Sequence, residues 1–315
     1  INLGLVSLIS GVIGARIFYV IHHWTLFAGT DRPFWAIINL TSGGLEFYGG
    51  FLTAVVAVMI YLRLKKKSMR WYLDLLAPSI MLGLAFGRVG CFLNGCCWGA
   101  ATNSPISVQF PYGSLPFDDQ WSKSHHVAVP AELILTPASG TPFLIDRELI
   151  KMTDEQLDEE LAKVNPDSGR GYILGLLKGH LTTYKTNMAG LRQIVKKLDL
   201  KSAPVHPTQI YASITAFLIS VLLGMYYWRR KRDGMVIAWL FVLYPISRFL
   251  EEAIRTDNPI DTFGFTISQG ISLAAIPLAI LFMILLRFLP PRSPRAIAEL
   301  EANQQEVKTA RPAQN

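Results

Sequence analysis

Six long segments of this chain contain very few charged side chains, and this hydropathy pattern limits the possible fold more than any other feature. A helix of about 20 apolar residues, rising about 1.5 Å per residue, crosses the hydrocarbon core of a bilayer. The segments are Leu3–Ile21, Phe47–Leu64, Trp71–Leu93, Thr208–Trp228, Met235–Ile254 and Ile267–Phe288. They predict an all-α integral membrane protein with six transmembrane helices in this sequence.

Lysine and arginine residues cluster at the ends of these segments, at residues 63–70, 229–232 and 287–295. Short cytoplasmic loops of membrane proteins carry an excess of Lys and Arg. With six helices, all three clusters fall on one side, so we expect that side to be cytoplasmic. The net charge of +7 therefore reflects membrane topology, and we do not expect nucleic-acid binding.

The same topology divides the chain into four parts. Residues 1–99 hold the first three helices and residues 206–289 the last three, while residues 290–315 form a polar cytoplasmic tail. Residues 100–205 are too polar to span the membrane and too long for a simple connection. We expect them to form a small extracytoplasmic head domain, with a short amphipathic helix within Met152–Val164.

The parity of six helices also places Ile1 on the cytoplasmic side. The sequence opens inside an apolar run, without the charged region and cleavage site of an intact signal peptide. We therefore expect a further, seventh helix to precede Ile1.

Charged side chains inside membrane helices are costly, and they usually line a cavity or pair with one another. The predicted topology places several polar groups in the outer half of the membrane. They are Arg88 and Asn94 near Gly99, the i,i+4 pair Arg248 and Glu252, His206 with Gln209, and Tyr48. Two arginines in this region suit an anionic phospholipid headgroup, because a guanidinium binds phosphate with two parallel hydrogen bonds.

Each of these residues could instead have a purely structural role. Arg248 and Glu252 could be an ion pair that only holds the helices together, and His206 could cap a turn. Asp74, near the inner surface, is more typical of a helix start than of a site. The three cysteines, Cys91, Cys96 and Cys97, match no standard metal-ligand spacing and are interpreted as small packing residues. No metal or organic cofactor is indicated.

Several motifs, in order along the chain, resemble those of the prolipoprotein diacylglyceryl transferase family. They are GARIFY at 14–19, GGLEFYGG at 43–50, GRVGCFLNGCCWG at 87–99, HPTQIY at 206–211, Ser247-Arg248 with Glu252 and Arg255, and SQG at 268–270. The sequence departs from the family pattern at Tyr48, where His is frequent. It also departs at Cys91, where Asn is frequent, and at Cys96 and Ala212, where Glu is frequent.

The resemblance implies a seven-helix enzyme of the bacterial inner membrane, with its site facing the outer leaflet and no cofactor. It would transfer the diacylglyceryl group of phosphatidylglycerol to the lipobox cysteine in the signal peptide of a prolipoprotein. A thioether would form and glycerol phosphate would leave.

The resemblance also implies roles for individual residues. Arg88 and Arg248 would stabilise the leaving phosphate, and His206 or Tyr48 would favour the substrate thiolate. Asn94 and Gly99 would shape the cavity and Glu252 would orient an arginine. Arg16 and Gln209 would complete the substrate-binding set.

Two other classes of protein stay possible from the sequence. A transporter would show polar groups through the full depth of the membrane and related halves, and we find no related halves. A non-catalytic membrane scaffold would tolerate alanine at Arg88, Asn94 and Arg248.

Overall fold

The computed structural model describes residues 2–24, 27, 33–39, 43–124, 127–137, 140–166, 168–255, 264–298 and 301. Most of the described chain is helical. The helices are α1 (Asn2–His22), α2 (Pro33–Ile38), α3 (Phe47–Leu64), α4 (Met69–Asn94), α5 (Leu115–Ser124), α6 (Arg147–Lys151), α7 (Asp154–Lys163), α8 (Gly169–Thr183), α9 (Met188–Leu198), α10 (Thr208–Arg229), α11 (Met235–Glu252) and α12 (Ile267–Phe288). A 3-10 turn at Ala131–Leu133 leads into the antiparallel strands β1 (Ile134–Leu135) and β2 (Phe143–Leu144).

All six apolar segments of the sequence are helical. Four of these helices, α1, α4, α10 and α12, are long and apolar enough to cross a membrane. Helix α3 is shorter, with 18 residues, and α11 carries three charged side chains near its end. The structure is therefore that of a mostly helical membrane protein, and six crossings stay a prediction. Residues 302–315 of the predicted tail lie outside the described residues.

The chain divides into two compact units. The first unit comprises residues 1–78, 223–240 and 280–315, and the second comprises residues 79–222 and 241–279.

In the first unit, α1 packs closely on α3 because both helices have small residues at the contact. A Cβ added at Gly14 would overlap the side chain of Thr53, and one at Gly50 would lie 2.9 Å from the Gly11 carbonyl oxygen. The guanidinium of Arg16 is buried and donates hydrogen bonds to the carbonyl oxygens of residues 37, 43 and 44 at 2.7–2.9 Å. Arg16 thereby connects α1 to the segment that leads into α3.

Asp74 is fully buried in the first unit, where it holds the beginning of α11. Its carboxylate accepts hydrogen bonds from the backbone N–H groups of Gly234, Val236 and Ile237 at 2.8–3.0 Å. Nε of Arg230 lies 3.0 Å from the same carboxylate. A carboxylate is favourable there because the first N–H groups of a helix have no partner within the helix. Asp74 is therefore structural.

In the second unit, residues 112–191 form their own hydrophobic core around Phe117, Leu133, Leu174 and Leu191, all fully buried. The helix predicted within Met152–Val164 is α7, and its capping box joins Thr153 and Gln156. The Tyr112 hydroxyl donates a hydrogen bond to the Ile145 carbonyl at 2.8 Å. The pKa of this phenol is raised, mainly because the group is buried and also because Asp118 and Asp146 are negatively charged.

The Asp74 network predicts a large effect on stability. We expect Asp74→Asn to destabilise the protein by about 3–5 kcal/mol, because it removes the closer of the two carboxylates that pair with the buried Arg230; the other, Asp233, lies 3.7 Å away. Denaturation of the purified protein by SDS in mixed micelles measures this change. The control is Asp158→Asn, which removes an exposed ion pair with Lys178 and is expected to cost less than about 1 kcal/mol. Equal stability of the two variants would contradict the structural role of Asp74.

Candidate functional site

The candidate site lies in the second unit, around the loop that follows α4. Gly95 ends this helix with a φ of +75°, in the left-handed region that glycine adopts without steric cost. The loop then runs beside the beginning of α10 and the end of α11. The Thr208 hydroxyl donates to the Cys97 carbonyl at 2.7 Å, and Nε2 of Gln209 donates to the Cys96 carbonyl at 2.6 Å.

Gly99 is where the loop comes closest to its neighbours. Its N–H donates to the His206 carbonyl at 3.0 Å, and it pairs with Arg255 as an isolated β-bridge. A Cβ at this position would lie 2.7 Å from Cγ2 of Thr208 and 2.8 Å from Cβ of His206. Glycine is therefore required by the close approach of the two backbones.

Arg248 and Glu252 form a direct ion pair at the end of α11. Nη2 of Arg248 lies 2.6 Å from Oε2 of Glu252 and 3.2 Å from Oγ of Ser268. The Glu252 carboxylate also accepts from the Thr266 hydroxyl at 3.1 Å and lies 3.9 Å from Nη1 of Arg255. Nη1 of Arg248 is buried and has no hydrogen-bond partner among the described residues.

Arg88 contributes a third positive charge to this part of the second unit. It is half-buried in α4, and of the charges around Glu251 it acts most strongly on that carboxylate, followed by Arg248 and Arg255. Arg248 and Arg255 lie against the Glu252 carboxylate, and the charges of Arg88, Arg248 and Arg255 all act on Glu251. With both glutamates ionised, the cluster has a net charge of +1, which favours an anionic ligand.

The remaining predicted residues of the second unit differ in their contacts. His206 lies two residues before α10; its ring Nδ1 is 3.2 Å from the Tyr211 hydroxyl, and its backbone N–H donates to the Ala100 carbonyl. Gln209 is fully buried, and its Oε1 has no partner among the described residues. Asn94 is the last residue of α4 and its side chain is exposed.

Two predicted site residues, Arg16 and Tyr48, belong to the first unit. Arg16 is buried and binds backbone carbonyls there. Tyr48 is 77% exposed at the beginning of α3.

The sequence interpretation missed Thr266, which precedes α12 and donates to Glu252. The signal was present in the sequence, because Thr266 and Gln269 have the spacing of a capping box. The Thr266 N–H donates to Oε1 of Gln269 at 3.1 Å, and the Gln269 N–H donates to the Thr266 hydroxyl at 3.3 Å. The cap positions the hydroxyl that contacts the glutamate.

An apolar groove of about 400 Å³ lies in the same unit, between α10 and α11. Its walls include Thr215, Ile219, Leu243 and Leu250. Glu251 also lines the groove, so charged and apolar surfaces adjoin.

Four helices that are long and apolar enough to cross a membrane, together with the arginines and glutamates of the second unit, define a helical integral membrane protein with a candidate anion site. The family model for prolipoprotein diacylglyceryl transferase matches residues 1–285. The chain belongs to this family.

Several curated relatives carry the name phosphatidylglycerol–prolipoprotein diacylglyceryl transferase. The protein of Rhodopirellula baltica is 28% identical over 86% of this chain and 62% of its own length. That of Clostridium tetani is 25% identical over 91% of this chain and 80% of its own. That of Bdellovibrio bacteriovorus is 27% identical over 88% and 76%. The chain thus spans less than two thirds of the Rhodopirellula relative.

The contact at Gly99 leads to a prediction about the loop. We expect Gly99→Ala to destabilise the protein by about 1–3 kcal/mol, because the added methyl group overpacks the contact with Thr208 and His206. Thermal unfolding in detergent measures the change.

Gly90→Ala is the matched control, since a Cβ at Gly90 meets no atom within 4 Å. Alanine favours helix over glycine by about 1 kcal/mol, so this control should be neutral or stabilising. A neutral Gly99→Ala variant would contradict the tight contact.

Proposed function

We propose that this chain transfers the diacylglyceryl group of phosphatidylglycerol to the lipobox cysteine of prolipoproteins, the reaction for which its family is named. The cysteine sulfur attacks the glyceryl carbon that bears the phosphate. A carbon–sulfur bond forms and the carbon–oxygen bond to phosphate breaks, so that glycerol phosphate leaves. The thiol proton passes to a base.

The observation that carries this proposal is the arrangement of three arginines against two glutamates in the second unit. A phosphodiester carries about one negative charge, which complements a cluster of net charge +1. As the carbon–oxygen bond breaks, a second negative charge develops on the departing phosphate. The arginines therefore bind the transition state more strongly than the bound lipid, and this difference is what accelerates the reaction.

Arg248 and Arg88 have different roles in this proposal. Glu252 and Ser268 hold Arg248 in one orientation, and Thr266 in turn holds Glu252, while Nη1 of Arg248 keeps an unused donor. The guanidinium of Arg88 makes no hydrogen bond to another described residue, so its donors can turn to the phosphate. Glu252 is a positioning residue, since it acts through Arg248.

The other predicted residues complete the proposed site. Asn94 and Gly99 shape the cavity, and Gln209 fixes the loop through Cys96. His206, in contact with the Tyr211 hydroxyl, or Tyr48 favours the substrate thiolate, since an ordinary thiol has a pKa of about 8.5. Arg16 belongs to the substrate-binding set in this proposal.

The groove between α10 and α11 fits an acyl chain of the lipid. Its walls are mostly apolar and one end reaches Glu251, beside the arginines. A headgroup at the arginine cluster would place its acyl chain along this groove.

The proposed topology has six crossings, formed by α1, α3, α4, α10, α11 and α12. Residues 100–205 then form an extracytoplasmic head, which agrees with the separate hydrophobic core of residues 112–191. The site faces the outer leaflet of the bacterial inner membrane, where phosphatidylglycerol and the signal peptide meet it. The basic clusters and residues 290–315 are cytoplasmic.

The first test removes a phosphate ligand. We expect Arg88→Ala to lower the rate of diacylglyceryl transfer from labelled phosphatidylglycerol to a lipobox peptide by about 100-fold or more. Arg170→Ala is the control, because it removes an exposed arginine paired with Glu160 and should leave the rate unchanged. If the Arg88→Ala variant is folded and retains full activity, Arg88 does not bind the phosphate. Full activity with alanine at Asn94 and Arg248 as well would place the phosphate-binding site on other residues.

A second test separates charge from geometry at Arg248. Arg248→Lys retains the positive charge but loses the planar pair of donors. We expect an intermediate rate, above that of Arg248→Ala and below that of the unchanged protein, with the loss mainly in kcat. Transfer assays at saturating lipid measure kcat for the three proteins. Identical rates for Arg248→Lys and Arg248→Ala would show that the ammonium cannot replace any part of this role.

A further inference from the structure

All three cysteines of the chain come together in the second unit. The Sγ atoms of Cys91, Cys96 and Cys97 lie within 4.8 Å of one another, and the three side chains are half-buried. The spacing of the cysteines in the sequence did not indicate this cluster. The fold of the loop after α4 creates it.

Helix-end geometry explains why Cys91 and Cys96 are neighbours. The Cys96 N–H donates to the Cys91 carbonyl and the Gly95 N–H to the Phe92 carbonyl, each at 3.1 Å. This pair of bonds is the Schellman motif, which folds the second residue after a helix back over the last turn. The Cys96 thiol accordingly lies 3.6 Å from the Cys91 carbonyl oxygen.

Cys97 is held in position by its backbone. Its φ is +60°, a left-handed conformation that is unfavourable for a residue with a Cβ. The hydrogen bond from Thr208 to its carbonyl, and the bond from Gln209 to that of Cys96, fix the loop in this conformation. Backbone carbonyl and N–H groups thus fix the loop that carries Cys96 and Cys97, and one sulfur contact, from the Cys96 thiol to the Cys91 carbonyl, joins the loop to the helix end.

The spacing of the sulfur atoms suits a bound metal ion. An ion at the centre of an equilateral triangle with 4.8 Å sides lies about 2.8 Å from each corner, compared with about 2.3 Å for a zinc–sulfur bond. If each sulfur moves about 0.5 Å toward the ion, through a small side-chain rotation, it reaches the zinc–sulfur bond length. Three thiolates leave a fourth position of a tetrahedron open.

We propose that Cys91, Cys96 and Cys97 bind a thiophilic d10 metal ion, Zn²⁺ or Cu⁺, as a three-thiolate site. Thiolates select these soft ions, whereas Mg²⁺ and Ca²⁺ require oxygen ligands. Each thiol loses its proton when it binds the metal, so binding releases protons and weakens as the pH falls. The proposal does not depend on the transfer reaction.

The test is a titration of the purified, reduced, full chain in detergent, without lipobox peptide. Zn²⁺ and Cu⁺ are added in separate arms, and Cd²⁺ serves as a probe because its charge-transfer absorption reports thiolate bonds. We expect one equivalent of metal to bind in at least one arm. Cys91→Ser, Cys96→Ser and Cys97→Ser should each weaken binding by at least 10-fold. His23→Gln, which removes an exposed imidazole in the first unit, should leave metal binding unchanged.

A second measurement uses the unchanged protein, in case a serine variant does not fold. Mass spectrometry after alkylation should show three modified thiols without metal and protection of all three with one equivalent bound. Absence of stoichiometric binding in both arms would overturn the proposal. Unchanged metal binding by a folded Cys91→Ser variant would also overturn it. So would a disulfide between two of these cysteines in protein purified without reductant, detected as a mass lower by two hydrogen atoms.

Discussion

The hydrogen bonds between the beginning of α10 and the loop after α4 are the contacts on which the candidate site depends. Gln209 and Thr208 bind the carbonyls of Cys96 and Cys97, and Gly99 binds the carbonyl of His206. These bonds lie among apolar helices, where an unpaired polar group is costly. They position the end of α4 and the loop, and with them Asn94 and the cysteine cluster.

The ionic groups of the second unit are also mostly paired, because an unpaired polar group among apolar helices is costly. Arg248 and Glu252 share an ion pair that also contacts Ser268 and Thr266. Such a pair stabilises a fold only when its remaining donors and acceptors are satisfied. Nη1 of Arg248 departs from this rule among the described residues, and in the proposed function this donor is available to the phosphate.

Several residues of the candidate site were indicated by the sequence, and their roles stay a prediction. Glycine, arginine and histidine residues beside apolar segments indicated Arg88, Gly99, His206 and Arg248, because charged groups in membrane helices usually line a cavity or pair with one another. Thr266 and the cysteine cluster were not recognised. Thr266 is uncharged, and only its capping-box spacing to Gln269 indicates it. The cysteines, which have no standard spacing, required the Schellman turn and the left-handed Cys97 to bring their sulfur atoms together.

The sequence alone determined that the chain is a helical membrane protein of the prolipoprotein diacylglyceryl transferase family, since apolar length and local motifs are properties of short segments. Only the tertiary structure decided which polar groups meet. The bond from Gln209 to Cys96 joins residues 113 positions apart, and that from Gly234 to Asp74 joins residues 160 apart. No local pattern specifies such partners, because they depend on how helices pack and where loops turn.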